Sequence, residues 1–428
     1  MRSRYWIVGA LWFFQMANYF DRTVISFAGP SIMKSMSLEP RAFGMILSSF
    51  GVGYVLAQIP GGLIADRWGS KPALVIAPLL WALFTGFTGL SVSLAAFMVV
   101  RLCLGLSEGA ANGASLKAQA DNFSSNERSF AAGIWATSFA VAPAIAGPAV
   151  GVLITSYSWR WAFLLMMIPA IIASLANFFI IPMGMAGRDK KEFVDQPGAN
   201  KHLIVEQSNE SLHTGNGSLR NIVRRPSLWL ASLTWFFSNI AYWGYLGWMP
   251  SYLSLERHID VKASGLLGGI PYVFGVAGLI VLGWLGSNRL YRYRSPLIAA
   301  SHTLAGVSLY LAYSAEGLTR SLIGLSGAAF FIFGAMGPFA AMALDLAPSR
   351  SRAVYWSVVS TVGQLSGVVA PVLIGNLVNA TGTFASGFAF MATSLGIAAI
   401  GALSLRRSLA AATALLPAIA ARSQTEAG

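Results

Sequence analysis

Residues 184–226 read GMAGRDKKEFVDQPGANKHLIVEQSNESLHTGNGSLRNIVRRP, and this polar stretch decides how the rest of the chain is interpreted. Charged, amide and turn-forming residues follow one another closely in it, a composition that is too polar to bury and is typical of a flexible linker. The chain on either side is strongly apolar. Apolar runs long enough to cross a bilayer as a helix occur six times before the polar stretch and six times after it.

The overall composition indicates a membrane protein. Of the 428 residues 55% are hydrophobic and only 11% are charged, whereas a soluble domain carries about 25% charged residues. The formal net charge of +13 would suit a nucleic-acid-binding protein, but the basic residues lie between apolar runs rather than on a patch with interleaved aromatic residues. The single cysteine, Cys103, leaves no internal disulfide and no multi-thiolate metal site.

The sequence therefore predicts an all-α membrane protein with twelve transmembrane helices in two pseudo-symmetric six-helix bundles. The amino-terminal bundle is assigned to residues 1–183, the linker to 184–226, the carboxy-terminal bundle to 227–407 and a tail to 408–428. The predicted spans lie near residues 6–29, 43–65, 73–92, 95–120, 130–155 and 160–183, and then near 227–253, 263–286, 296–314, 319–346, 353–379 and 384–405.

Lysine and arginine residues are distributed unequally between the two ends of this predicted bundle. With both termini, the linker and the tail on one side, that side holds 20 of the 29 basic residues, the other side holds six and the predicted helices hold three. Short cytoplasmic loops retain positive charge, so both termini are predicted to be cytoplasmic.

Four charged residues lie deep in predicted spans: Asp21 and Arg22 in the stretch NYFDR, and Arg101 and Glu108 in the stretch RLCLGLSEG. Each costs roughly 2.5 to 3.5 kcal/mol at the bilayer centre, so such residues normally face a bundle interior and serve a function. A guanidinium stays charged and offers a planar fork to a carboxylate, which makes Arg22 and Arg101 the predicted anion-binding residues. Carboxyl groups in a partly dry cavity can titrate in the working range, which makes Asp21 and Glu108 the predicted proton carriers.

A purely structural interpretation of these charges is the alternative. Arg101 and Glu108 could neutralise each other, and Asp21 and Arg22 could extend to the membrane surface. The first two lie about 10 Å apart along a helix, however, and the last two lie at least fifteen residues into their span. We expect Gly105 to leave room between Arg101 and Glu108, and an anion bound at Arg101 to favour protonation of Glu108.

The second bundle offers uncharged polar residues. Asn239 and Tyr242 on the seventh predicted helix, and Ser360 and Gln364 on the eleventh, are candidates for hydrogen bonds to substrate hydroxyl groups. No arginine lies deep in a helix of this bundle. The first bundle is therefore expected to bind the charge of a substrate and the second bundle its neutral part.

The stretch GLIADRWGSK, residues 62–71, lies between the second and third predicted spans on the cytoplasmic side. An acid in such a turn can interact with helix amino termini and basic residues, and these contacts hold one conformation until the halves move. We therefore predict that Asp66, Arg67 and Arg128 form a gate.

Several of these stretches resemble known proteins. Residues 62–71 resemble the signature loop of the major facilitator superfamily. NYFDR, residues 50–62 and RLCLGLSEG resemble the anion:cation symporter family, which includes galactonate, glucarate and hexuronate transporters as well as sialin and vesicular glutamate transporters. The resemblance implies that Asp21 and Glu108 are protonation sites and that an organic-anion site is lined by Tyr19, Arg22, Tyr54 and Arg101.

These observations together predict a proton-coupled symporter that imports a small organic anion, either a sugar acid or another hydroxy- or aromatic carboxylate, by alternating access. It is expected to function as a monomer in a cell inner (plasma) membrane, without nucleic acid, metal or cofactor. The alternative is a proton-driven exporter of drugs or metabolites, which the stretch GPAVG at residues 147–151 favours as part of an antiporter signature. An enzyme is disfavoured because the sequence offers four histidines and no catalytic constellation.

Overall fold

The computed structural model describes the backbone of residues 2–123, 125–182, 222–348 and 352–425, and within these ranges the side chains except those of residues 2–4, 66, 120, 125–130, 353 and 407–425. All regular secondary structure in these ranges is helical. Most of the predicted linker, up to residue 221, lies outside them.

Six long helices form the amino-terminal half, and each corresponds to one predicted span. They are α1 (Arg2–Met36), α2 (Pro40–Trp68), α3 (Ser70–Leu90), α4 (Leu94–Asn122), α5 (Ser125–Ser156) and α6 (Trp159–Ile180). The turn between α2 and α3 is the single residue Gly69, whose φ of 86° is one that glycine adopts without strain. The helix α2 therefore continues through Asp66 and Arg67, where the sequence predicts a loop.

The carboxy-terminal half is less regular. It consists of α7 (Pro226–Ser251) with a π-helical turn after it (Tyr252–Glu256), α8 (Val261–Ser287), a 3-10 turn (Tyr291–Tyr293), α9 (Arg294–Ser314), α10 (Leu318–Gly334), α11 (Met336–Leu346), α12 (Arg352–Gln364), α13 (Ser366–Thr381) and α14 (Ala385–Thr425). The tenth predicted span is thus divided into α10 and α11, and the eleventh into α12 and α13. Pro338 explains the first division, because proline lacks the N–H that would bind the carbonyl of Gly334. The helix α14 continues past residue 407, where the sequence predicts a tail to begin.

Ten stretches of the described chain are long and apolar enough for a helix to cross a membrane. They comprise α2 to α6 and the five spans that follow α7. The first helix of each half, α1 and α7, is not among them. Both carry buried polar residues near their middle, such as Asn18 on α1 and Asn239 on α7, and both pack against helices of their own half and of the other half. The prediction of twelve spanning helices in two six-helix bundles is confirmed.

The two halves meet mainly along three pairs of helices. The helix α1 packs against α7, α2 against α13 and α5 against α8. In the last pair the backbones touch, since a Cβ added to Gly147 would lie 2.5 Å from the carbonyl oxygen of Gly265. This contact, the Gly147–Gly265 seam, lies at the end of the bundle that carries the turns between α1 and α2 and between α5 and α6.

Candidate functional site

The four charges predicted to matter are buried inside the protein. Asp21 and Arg22 on α1, and Arg101 and Glu108 on α4, are each at most 5% exposed. Asp21 and Arg22 therefore do not extend to the membrane surface, and the structural alternative for these two residues is wrong.

Arg22 forms an ion pair with Glu108. Its Nε donates a hydrogen bond of 2.7 Å to Oε2 of Glu108, and its Nη1 has no hydrogen-bond partner among the described residues. Contacts between a cation and aromatic faces stabilise a charge that has lost its water. Four aromatic rings provide such contacts, with their centres 4.5 to 5.9 Å from the guanidinium carbon, and we call them the Arg22 cage: Tyr19, Phe50, Tyr54 and Trp243.

Arg101 has two buried nitrogen atoms without a hydrogen-bond partner among the described residues, one more than Arg22. The two atoms of Arg101 are Nε and Nη1. Its guanidinium carbon lies 4.8 Å from the centre of the Phe50 ring, the same ring that contacts Arg22. Buried donors of a charged group are costly to leave unsatisfied, so this side chain is prepared to bind an anion that supplies acceptors. The structural alternative in which Arg101 neutralises Glu108 is not observed, because Arg22 is the residue hydrogen-bonded to that carboxylate.

Asp21 is the second buried carboxylate of the charged cluster, and its hydrogen bond comes from α3 rather than from an arginine. The hydroxyl of Thr85 on α3 donates a hydrogen bond of 2.9 Å to Oδ1, whereas Oδ2 has no partner among the described residues. The sequence analysis does not identify Thr85. A hydroxyl in the middle of an otherwise apolar span is the signal that could have found it, since such a group needs a buried partner.

Close packing of α2 against α4 brings the aromatic and charged side chains together. Gly105 and Gly109 lie directly against the backbone of α2, and added Cβ atoms would be 2.1 Å and 2.3 Å from the carbonyl oxygens of Phe50 and Tyr54. Small residues let two helix backbones approach closely. The sequence predicts that Gly105 leaves room between the two charges of α4. The structure shows instead that Gly105 allows the backbone of α2 to pack closely against α4.

A small cavity lies between the two halves beside both arginines. The amino-terminal half contributes Arg22, Ile25, Ser26, Leu47, Phe50 and Arg101. The carboxy-terminal half contributes Trp243, Leu246, Gly247, Gly367 and Pro371. The cavity volume of about 30 Å³ is enough for a few water molecules. An organic anion is larger, so the halves must separate to admit one.

The residues predicted to bind substrate hydroxyl groups do not line this cavity. The amide of Asn239 donates a hydrogen bond of 2.7 Å to the carbonyl four residues earlier in its own helix. Tyr242 lies against Tyr19. Ser360 is half-buried on α12, and Gln364 on the same helix has a buried Oε1 without a hydrogen-bond partner among the described residues.

Trp243 is the residue of α7 that contacts the charged cluster. Its ring centre lies 5.9 Å from the guanidinium carbon of Arg22, and it forms part of the cavity wall. From the sequence alone it is one of several residues of this helix, together with Asn239 and Tyr242, that could donate hydrogen bonds to substrate hydroxyl groups. Periodicity along α7 identifies the face to which it belongs but not the opposite half against which that face packs.

The predicted gate falls mainly outside the described side chains. Those of Asp66 and Arg128 are not among them, and Arg67 is exposed in the last turn of α2. The gate stays a prediction.

Polar contacts away from the cavity also join helices of the carboxy-terminal half, among them those of His302 and Arg294. Oγ of Ser238 and Nε2 of His302 are 3.0 Å apart. Arg294 pairs with Asp345 and donates a hydrogen bond of 2.8 Å to the carbonyl of Gly286. Each contact joins helices of the same half. Among the residues that the structure describes, no group of three or more histidine, cysteine, aspartate or glutamate residues is arranged to hold a metal ion.

The chain is similar over nearly its whole length to known membrane transporters. It is 28% identical over 420 residues to the "Probable sulfoacetate transporter SauU" of Cupriavidus necator, with 94% of each chain covered. It is 26% identical over 387 residues to the hexuronate transporter of Bacillus subtilis, with 87% of each chain covered. Its fold matches that of a bacterial homologue of the human lysosomal transporter Spinster, with a TM-score of 0.77, 18% identity, and coverage of 96% of this chain and 98% of that chain.

The family model of the Major Facilitator Superfamily matches residues 11–371. This range begins in the first helix and includes the cavity, the charged cluster and the turn at Gly69. The resemblance of residues 62–71 to the signature loop of that superfamily agrees with the match. The chain belongs to the major facilitator superfamily and is a membrane transporter rather than an enzyme.

Proposed function

We propose that the protein is a proton-coupled symporter that imports a small organic anion across a cell inner membrane by alternating access. The observation that carries the proposal is Arg101, a buried guanidinium with two unpartnered nitrogen atoms beside a cavity between the halves. A carboxylate or sulfonate group would supply both the missing acceptors and the opposite charge. The relatives named for sulfoacetate and hexuronate, which are both anions, support the same class of substrate.

The ion pair between Arg22 and Glu108 supplies the route for proton coupling. While Glu108 is ionised it occupies Arg22 through a hydrogen bond of 2.7 Å. When a proton binds to Glu108, Arg22 loses its partner and can bind the anion beside Arg101. Asp21, with one carboxylate oxygen that accepts no hydrogen bond from the described residues, is the second proton site. In this proposal the coupling runs through Arg22, the observed partner of Glu108. The sequence alone suggests that it runs through Arg101.

The distribution of basic residues supports a cytoplasmic position for both termini. The Gly147–Gly265 seam then lies on the outer side, and the cycle requires it to open. We assign the opposite, cytoplasmic closure to Asp66, Arg67 and Arg128. A single chain carries both halves of the cavity, so a monomer suffices for transport.

The test is transport by purified protein in liposomes, with an inwardly directed proton gradient and labelled glucuronate, sulfoacetate and benzoate. Replacement of Glu108 by glutamine is expected to abolish uptake driven by the gradient, while exchange of labelled for unlabelled anion continues. Replacement of Arg101 by glutamine is expected to abolish both activities. Arg320→Gln, which changes an exposed arginine on α10, serves as the matched control.

Gradient-driven uptake that survives Glu108→Gln would refute the proposed coupling. Proton-driven efflux of lipophilic cations, without uptake of any of the three anions, would favour the exporter. If Arg101→Gln abolished gradient-driven uptake but left anion exchange intact, this arginine would not be an anion-binding residue.

A further inference from the structure

The cavity wall differs in polarity between the two halves. The amino-terminal side presents two guanidinium groups and the hydroxyl of Ser26. The carboxy-terminal side presents Trp243, Leu246, Gly247, Gly367 and Pro371. The indole nitrogen of Trp243 is the single polar side-chain atom in this set of five, and it has no hydrogen-bond partner among the described residues. An indole N–H can donate one hydrogen bond and accepts none.

Such a wall satisfies few hydroxyl groups. Each hydroxyl of a sugar acid is a donor and an acceptor, and its burial without partners costs free energy. The polar residues of the carboxy-terminal half that could serve as partners lie elsewhere. Asn239 is engaged within its own helix, and neither Ser360 nor Gln364 lines the cavity.

The same wall suits a flat or apolar body. Phe50 lies between the two guanidinium groups, with its ring centre 5.2 Å from the Arg22 carbon and 4.8 Å from the Arg101 carbon. Trp243 faces the cavity from the other half and keeps its place because Gly367 has no side chain, since a Cβ there would lie 3.1 Å from the indole. Aromatic side chains contribute large apolar area and favourable ring contacts to a bound aromatic group.

Resting on the proposed function, we infer that the transported anion is a monocarboxylate with an apolar or aromatic body and few hydroxyl groups. One acidic group suffices because protonation of Glu108, the partner of Arg22, leaves one uncompensated positive charge in the cluster, and a single carboxylate can accept from both unpartnered nitrogen atoms of Arg101. The carboxylate binds Arg101, and the body lies against Trp243 and Leu246. Hydroxyl-rich sugar acids are poor substrates because the carboxy-terminal wall offers their hydroxyl groups few hydrogen-bond partners.

Binding of matched acids to the purified full-length protein tests this inference. Benzoate, cyclohexanecarboxylate and glucuronate each carry one carboxylate on a six-membered ring and differ in their hydroxyl groups. The dissociation constants from calorimetry are expected to be about 10- to 100-fold lower for the first two acids than for glucuronate, because glucuronate must bury unsatisfied hydroxyl groups. Sulfoacetate, a small dianion, is the fourth compound.

The outcomes separate the two proposals. Glucuronate binding as tight as benzoate binding, or a response to sulfoacetate alone, would overturn the apolar-body inference and leave anion transport standing. No response to any of the four anions would overturn both.

Gly247 allows a matched pair of variants. A Cβ added there would meet only the end of the Leu47 side chain, at 3.3 Å. Gly247→Ser therefore adds a hydroxyl to the wall, whereas Gly247→Ala adds the same carbon without it. We expect the serine variant to bind glucuronate about 2- to 10-fold more tightly than the alanine variant, the range of one net hydrogen bond, with equal benzoate affinity in the two. Equal glucuronate affinity in the two variants would contradict a wall that lacks hydroxyl partners.

Discussion

Replacement of Gly105 by alanine tests whether the contact between α2 and α4 builds the site. The added Cβ would lie 2.1 Å from the carbonyl oxygen of Phe50 and 2.8 Å from the amide nitrogen of Tyr54. Both are backbone atoms, so no side-chain rotation relieves the overlap. A carbon and a carbonyl oxygen in contact need about 3.3 Å. The two helices must therefore separate by about 1 Å, the difference between these distances.

This separation reaches the charged cluster directly. Phe50 and Tyr54 are two of the four rings of the Arg22 cage, and they belong to the turns of α2 that would move. Overpacking of this kind costs about 1 to 3 kcal/mol. Misplacement of a site by about 1 Å can cost a factor of roughly 100 in activity. We therefore expect the Gly105→Ala protein to unfold at a lower temperature than the unmodified protein. We also expect it to lose at least about nine-tenths of its anion uptake, because a local tilt of the helices would make the loss smaller than the full factor of roughly 100.

The assay combines thermal unfolding in detergent with uptake by liposomes. Gly133 on α5 supplies the control, because nothing lies within 4 Å of a Cβ added there. Gly133→Ala should retain both the melting temperature and the uptake of the unmodified protein. If Gly105→Ala behaves in the same way as this control, the α2–α4 contact does not position the site and the argument from backbone packing fails.

Two further predictions concern hydrogen bonds. Thr85→Val removes the hydroxyl that donates to Asp21. It should lower the free energy of unfolding, measured by heat or denaturant, by about 1.5 to 3 kcal/mol, the contribution of a hydrogen bond to a charged group. Thr88→Val, the control, removes only a bond within its own helix, and equal losses in the two variants would show that the bond to Asp21 contributes no more than that one. Arg257 donates to the hydroxyl of the tyrosine five residues earlier at 2.6 Å and to two carbonyls at the end of α9 at 3.0 Å. Arg257→Gln should therefore lower the melting temperature more than the exposed Arg320→Gln, and equal melting temperatures would exclude a role in joining α7 to α9.

The fold could be predicted almost completely from the sequence, because a bilayer fixes the length of each apolar run. The helix ends could be predicted less well. The helix α2 runs to Trp68, since a single glycine at position 69 is enough for the turn. The division after Gly334 could have been predicted from Pro338, whose position four residues later removes a helical hydrogen bond.

The four charged residues of the candidate site could be singled out from the sequence, but their pairing and the residues of the second half that line the cavity could not. Helical periodicity identifies the residues on one face of one helix, and it therefore favours Arg101 as the neighbour of Glu108. The observed partner, Arg22, is 86 residues away and reaches Glu108 because α1 and α4 converge on one charged cluster. Trp243 joins the site from the other half for the same reason. Such contacts depend on how helices cross, which no pattern within a single helix encodes.

The charge balance of the cluster gives a physical reason for the proposed coupling of proton and anion. Asp21, Arg22, Arg101 and Glu108 sum to zero when both acids are ionised. A proton alone leaves an excess positive charge, an anion alone leaves an excess negative charge, and the two together leave none. An uncompensated charge at membrane depth costs about 2.5 to 3.5 kcal/mol, which corresponds to a factor of roughly 70 to 400 in an equilibrium constant.

In the proposed symporter we therefore expect each cargo to increase the affinity for the other by the same factor, as linkage requires. The balance is restored by one proton with a monoanion and by two protons with a dianion, and Asp21 then takes the second. None of these terms involves the carboxy-terminal wall. In the proposed symporter the amino-terminal half thus determines the coupling, and we expect Trp243 and its apolar neighbours to determine which anion is carried.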